Sequence, residues 1–380
     1  MPDEAPARDR GRLDALIERV KAAAESPENR RRAERKPRIF FQLEEPIASV
    51  LVDGLSVERY YSDPLYYAER VLDRKLWRWE NFPDDDLCID TIIPASLGFY
   101  PEYTYAGMSV CYDARGVPQI QTDHPISRDP DLRHLRPVSF ATSGWMPRAL
   151  RWHEELRRLA AGRLDVPFAA PWWRGCLDLA IQLRGFEGFL GDTAERPQFV
   201  HSLLSYLVEQ RCRWWEDYGR HFRKEREPSL VGDDWINVPF ISPDLFRDFV
   251  LPRYLEIERF HGGIAGIHSC GNQEPVQKYL LRIQSLPALE VSAWTDLGRT
   301  LSNVPADKEL VVSLHPNDVL CASPREMERK LTSILTACRG RKVTIATSGL
   351  TPLTPDIDDF VRRVRTWTQI ARKARETSHA

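Results

Sequence analysis

Several absences narrow the class of this 380-residue sequence before any motif is read. No stretch approaches the roughly 20 consecutive apolar residues needed to cross a bilayer. The segment from Met1 to Lys36 is charged throughout and carries no signal-peptide core, so a cytoplasmic protein with no membrane partner is expected. Cysteine is sparse: Cys88, Cys111, Cys176, Cys212, Cys270, Cys321 and Cys338 form an odd set with no framework spacing. Each is therefore expected as a thiol in a reducing compartment. Charge of one sign is not in excess either, with 53 Lys and Arg against 55 Asp and Glu. No overall field draws the chain to nucleic acid, which leaves a small neutral or anionic molecule as the expected ligand. No internal repeat is visible, and no Gly-rich phosphate fingerprint follows the first strand-like run, which weakens a dinucleotide-binding reading.

What is present is a recurrence of short apolar runs bounded by polar or turn residues, each short enough for a buried strand. Eight are found: Arg38 to Leu43, Cys88 to Ile93, Val166 to Ala170, Ser229 to Val231, Ile264 to Ile267, Leu289 to Val291, Leu310 to Leu314, and Val343 to Ala346. Helical patterns separate most of them, the clearest being the stripe Ile357, Phe360, Val361, Val364, Trp367 and Ala371. Alternating strands and helices imply a parallel sheet, and eight units over this length favour closure into a (β/α)8 TIM barrel. Residues 37–376 are read as that barrel. Residues 1–36 are read as a charged helical surface arm, with the stripe Leu13, Leu16, Ile17 and Val20 followed by the basic run Arg30, Arg31, Arg32, Arg35 and Lys36. The loop after the second strand is elaborated, an insertion of about 94–163 in which Gly98, Tyr100, Pro101, Tyr103, Tyr105 and Gly107 precede a helix from Arg148 to Ala161. It is either a wall of the substrate pocket or a plain surface hairpin.

In a barrel, the C-terminal strand ends converge on one mouth. The side chains placed there are Glu44 and Glu45, Thr91, Trp172 and Trp173, Asp233 and Asp234, His268 and Cys270, His315 and Asn317, and Ser348 and Gly349. So many polar groups at strand ends are hard to explain as core packing, because a buried charge without a partner is costly. His268 and Cys270, two residues apart, point to the same side and can reach one soft divalent ion, with zinc the natural choice. The alternative is a hydrogen-bonded histidine beside an inert thiol. Of the adjacent carboxylates Asp233 and Asp234, only one can face the mouth as a catalytic acid or orienting group while the other braces a loop. Trp172 and Trp173 can hold a methylated ammonium or an aromatic ether by stacking and cation–π attraction, or simply pack between barrel and helices.

The motifs Gly232-Asp233-Asp234, Ile241-Ser242-Pro243-Asp244-Leu245-Phe246, Phe249-Val250-Leu251-Pro252 and His268-Ser269-Cys270-Gly271-Asn272 stand in an order and spacing that resembles the uroporphyrinogen decarboxylase superfamily. Upstream, Arg184-Gly185-Phe186-Glu187-Gly188-Phe189-Leu190 with Arg196-Pro197 resembles that superfamily's helix pair after the third strand, so the similarity spans about Val166 to Asn272. The resemblance implies a (β/α)8 barrel that is either a tetrapyrrole decarboxylase or a cobamide-dependent methyltransferase. The decarboxylases' R-Q-A-G-R-Y motif is missing after the first strand, where Glu44 and Glu45 would repel a polycarboxylate.

The methyltransferase branch is the better likeness, and it implies zinc held by His268 and Cys270 together with a second, distant cysteine after the last strand. Here the sequence departs from the pattern, with Ser348 in Ala346-Thr347-Ser348-Gly349-Leu350 where that thiolate is expected. A hydroxyl is a poor substitute for a thiolate, so replacement ligands are sought among Glu290, Asp296 and Cys321. The likeness further implies a methyl group moving between a small methylated ether, amine or thiol and a corrinoid (cobalamin), either used directly or carried on a partner protein. Zinc would act as Lewis acid; without it His268 or an aspartate would be the general acid. Asp233, Asp234 and His268 are the candidate catalytic residues, and Glu44, Glu45, Trp172, Trp173, Asn272, His315, Asn317 and Ser348 the candidate substrate contacts. Two alternatives stay open: a diverged tetrapyrrole-binding or decarboxylating protein, and a non-catalytic binding barrel that has lost zinc.

Overall fold

The computed structural model describes residues 10–98, 101–112, 118–120, 124–169 and 171–379. Tyr100, Ala170 and the first nine residues of the expected arm lie outside the described residues. Eight strands follow in chain order: β1 (Arg38–Leu43), β2 (Val110–Tyr112), β3 (Pro118–Ile120), β4 (Ser229–Gly232), β5 (Ile264–His268), β6 (Ala288–Val291), β7 (Glu309–Leu314) and β8 (Val343–Leu350). Four of them make a parallel sheet in the order β1-β8-β7-β6, β4 pairs in parallel with β5, and β2 with β3 forms an antiparallel hairpin inside the 94–163 insertion. Residues alternate across β7, whose Leu310, Val312 and Leu314 are buried. In β8 three consecutive residues, Ile345, Ala346 and Thr347, are buried, as befits a strand covered on both faces.

Two of the expected strands are corrected. Cys88 to Ile93 and Val166 to Ala170 contribute only isolated bridges, Ile92 with Asp165 and Ala95 with Phe168, carried by bonds such as Ile93 N–H to Asp165 O at 2.8 Å and Ala95 N–H to Pro167 O at 2.9 Å. Pro94, Pro167 and Pro171 have no N–H to give a ladder, which keeps these stretches from regular pairing. A further bridge joins Arg174 to Gly232. The parallel elements therefore form two arcs, one running through 92–95, 165–168, β4 and β5, the other through β6, β7, β8 and β1.

Among the described residues no ladder closes the arcs into the expected ring. Between β5 and β6 the gap is spanned by side chains: Ser292 Oγ donates to Gly271 O at 2.7 Å, and Gln273 N–H donates to Thr295 Oγ1 at 3.2 Å.

The N-terminal segment is not a free arm. Leu13, Leu16, Ile17 and Val20 of the helix Gly11–Ala24 are buried, packed against the helix Pro64–Asn81. Part of the basic run is neutralised locally: Arg32 is buried with its guanidinium 4.0 Å over Trp79, and Arg35 bridges Glu28 at 2.8 Å and Asp86 at 3.2 Å. At the other end of the chain, the helix Ile357–His379 buries Phe360, Val364, Trp367 and Ala371. No helix of the described residues is long and apolar enough to cross a membrane.

Candidate functional site

At the C-terminal ends of β1 and β4 to β8 lies a cavity of about 490 Å³. On the β4–β5 side the end of β4 turns two adjacent carboxylates in opposite directions, only Asp234 lining the cavity. Asp233 points inward and is fully buried, accepting the Tyr254 hydroxyl at 2.8 Å and the Leu177 N–H at 3.2 Å. It braces the first turn of the helix Cys176–Arg184, and Gly175 must lack a side chain because a Cβ there would fall 2.1 Å from its Oδ2. Burial and the neighbouring Asp178 hold the Asp233 carboxyl well above its ordinary range.

Asp234 instead faces the cavity. Its Oδ2 accepts from Arg174 Nη1 at 2.8 Å, the same nitrogen that reaches Asp178 at 2.8 Å. Burial raises the Asp234 pKa, but the Arg174 guanidinium outweighs it and the net shift is downward, so the group is a carboxylate. Its Oδ1 is buried and has no hydrogen-bond partner.

That orphan oxygen looks across the mouth at β5. His268 Nε2 lies 3.7 Å from Asp234 Oδ1 and 3.4 Å from Cys270 Sγ, and the three ligand atoms all fall within 4.8 Å of one another. A tetrahedral zinc ion sets neighbouring N, O and S donors roughly 3.3–3.6 Å apart, so the two separations from His268 Nε2 lie close to what one ion requires. The other histidine nitrogen, Nδ1, is bonded to Glu290 Oε2 on β6 at 2.8 Å, which fixes the tautomer that leaves Nε2 free for a metal. Without an ion, burial disfavours a charged imidazole, yet Cys270 and Glu290 outweigh it and push the His268 pKa up to about 10. The field at this point favours positive charge, which a divalent ion would satisfy by displacing the proton.

The sequence-derived candidates separate on this geometry. Trp173, Asp234, His268, Cys270, Glu44, His315 and Ser348 line the cavity. Trp173 lies across Gly232, where a Cβ would meet its ring at 1.9 Å, and its face carries the Arg174 guanidinium at 4.6 Å.

The remaining candidates fall elsewhere. Trp172 is fully buried in the core, its carbonyl oxygen accepting from Trp215 Nε1–H at 2.9 Å. Glu45 turns away to Arg74 at 3.0 Å and Ser49, and Asn272 accepts the Glu274 N–H at 3.1 Å within its own turn. Asn317 gives its N–H to His315 Nδ1 at 3.1 Å and takes the Cys321 thiol at 3.7 Å, so both belong to a separate surface hollow. Asp296 caps the helix Leu297–Asn303, and Thr91 serves through its backbone oxygen, bonded to Asp165 N–H at 3.0 Å. Of the replacement ligands sought, Glu290 bonds His268 Nδ1 from behind, and it is Asp234 whose oxygen meets the His268 and Cys270 donor atoms. No described residue of 94–163 lines the cavity; Glu102 from that insertion lies behind it, accepting the Arg174 N–H at 3.0 Å.

Sequence reading missed Arg174 and Trp294. Arg174 follows two tryptophans at the end of an expected strand opposite two aspartates, a signal that was available. Trp294, 65% exposed just after β6, stands at the rim with its ring 5.3 Å from that of His315.

Residues 92–366 match the uroporphyrinogen decarboxylase (URO-D) family. The chain belongs to that family. A methyltransferase from Methanosarcina mazei superposes with a TM-score of 0.63 at 15% identity, covering 96% of this chain and 99% of the other, a likeness of fold. No curated protein matches the sequence. The URO-D family and this likeness imply the TIM-barrel plan, and the two arcs supply its parallel strands without a closing ladder among the described residues.

Proposed function

We propose that this URO-D family member is a methyltransferase that moves a methyl group between a small methylated substrate and a corrinoid carried on a partner protein, with zinc held by Asp234, His268 and Cys270. The observation that carries the reading is the meeting of those three donors from the ends of β4 and β5 at the open end of the cavity. Three protein ligands leave a fourth position for a substrate atom, the arrangement of catalytic zinc sites. When bound, zinc supplies Lewis acidity toward the heteroatom that bears the methyl group.

The chain's own residues do the rest. Arg174 keeps Asp234 ionised and aimed by occupying its other oxygen, and Glu290 holds the His268 ring through Nδ1. Ser348 and Gly349 keep the facing wall small, so that substrate can approach. The corrinoid part of the reading rests on the likeness to the methyltransferase branch, with which the fold of the Methanosarcina mazei methyltransferase agrees. A tetrapyrrole decarboxylase is disfavoured because Arg174, the one arginine lining the cavity among the described residues, is already engaged by Asp178 and Asp234.

Metal analysis of the purified protein tests the site: one equivalent of zinc is expected, lost in Cys270→Ala and His268→Ala. A panel of methyl ethers, methylamines and methyl thiols with reduced cobalamin, read by the absorbance change on cobalt methylation, tests the reaction. Metal-free protein, with both variants indistinguishable from the parent, would favour a non-catalytic barrel.

A further inference from the structure

The charges lining the cavity do not balance, and the imbalance names a substrate class. Arg174 is held by Asp178 and Asp234, and His268 by Glu290. A divalent ion at the proposed centre would face Asp234, Cys270 and Glu290, whose histidine partner would then be neutral, so no positive charge is left over. Glu44 stands apart: its carboxylate makes no hydrogen bond or ion pair among the described residues although it is half-buried. Its place is built: the Glu44 N–H donates to Leu350 O at 3.1 Å, and Oε2 sits over Gly349 where a Cβ would lie 2.0 Å away. Burial and the like charge of Glu45 raise its pKa, the signature of an anion short of a counter-charge. The same cavity offers aromatic surface at Trp173 and at the exposed Trp294.

We propose that the methylated substrate enters as a cation, carrying an ammonium group apart from the methyl-bearing heteroatom that would face zinc, with Glu44 as the counter-ion of that ammonium and the Trp294 ring as a wall it touches. This deepens the methyltransferase reading, on which it rests, and replaces the neutral or anionic ligand suggested by overall composition. A carboxylate or sulfonate would find no free cation among the described lining residues and would face Glu44.

Tetramethylammonium serves as probe, with tert-butanol as a neutral partner of similar bulk and methanesulfonate as the anionic one. Each is titrated calorimetrically into the full chain, whose zinc content is measured separately. Saturable binding of tetramethylammonium is expected, with neither of the others competing. Glu44→Gln should weaken it about tenfold or more, and Trp294→Ala by roughly three- to tenfold. Gly349→Ala, which keeps the carboxylate but displaces it, should also weaken it, guarding against misfolding of a single variant. Absence of tetramethylammonium binding, equal binding by Glu44→Gln, or stronger binding of methanesulfonate overturns the proposal. If the protein holds no zinc but cation binding still depends on Glu44, the metal reading fails and this one stands.

Discussion

Two walls of the same cavity are built on opposite principles. On the β4–β5 side, Arg174, Asp178, Asp234, His268 and Glu290 form a chain in which nearly every charge has a partner and two strand ends are locked together. On the β8–β1 side stand Ser348, Gly349 and Glu44, two small residues and one carboxylate without a partner. The inner part of this network, Arg174 with Asp178, is buried and must be satisfied, because unpaired charge in low dielectric costs several kcal/mol, and satisfying it also aims the half-buried Asp234. The other wall leaves its carboxylate without a partner among the described residues, over small side chains, which is the arrangement the proposed ammonium would use.

The sharpest way to break the first wall is Arg174→Leu. It strands Asp178 and Asp234 without their cation, and a loss of roughly 3–5 kcal/mol of stability is expected by urea denaturation.

Next comes the pH dependence of Glu102, packed behind the same wall. Burial outweighs Arg174 and raises its carboxyl to about 7 from 4.5. The folded chain holds this proton more tightly than the unfolded one, so the contribution to stability is full below pH 4.5 and is lost as pH rises through 7. Stability should decline by roughly 3 kcal/mol across that window from this group, and the decline should vanish in Glu102→Gln.

A smaller effect is expected from Glu290→Gln, which keeps the ligands but loosens the His268 ring. Zinc affinity measured by chelator competition should fall about 10- to 100-fold. Least of all, on the opposite wall, Glu44→Gln should change folding stability by less than about 0.5 kcal/mol and leave zinc content unaltered. A large destabilisation there would mean that the two walls are one network.

Much of the frame was legible because it depends on local pattern. Contiguous apolar runs mark β1 and β4 to β8, and the stripe from Ile357 to Ala371 marks the final helix. The pair His268 and Cys270 was legible because two-residue spacing puts side chains on one side of an extended chain. The carboxylate that joins them was not, since the choice between Asp233 and Asp234 turns on how β4 ends and on Arg174, a partner 60 positions away. Trp172 and Trp173 show the same limit: adjacent and identical in type, one is core and the other faces the cavity. The stripe at Leu13 to Val20 announced a helix but not that the helix Pro64–Asn81 would cover it.

By itself, the sequence determined most of the strand runs, the helix stripes, the histidine and cysteine pair and the serine at position 348, all properties of neighbours along the chain. Only the tertiary structure decided that Asp234 completes the trio, that Glu290 supports it, and that Glu44 is left alone over Gly349. Those outcomes depend on which groups meet across strand ends far apart in number, and it is burial and pairing at that meeting that fix a carboxylate's orientation and charge.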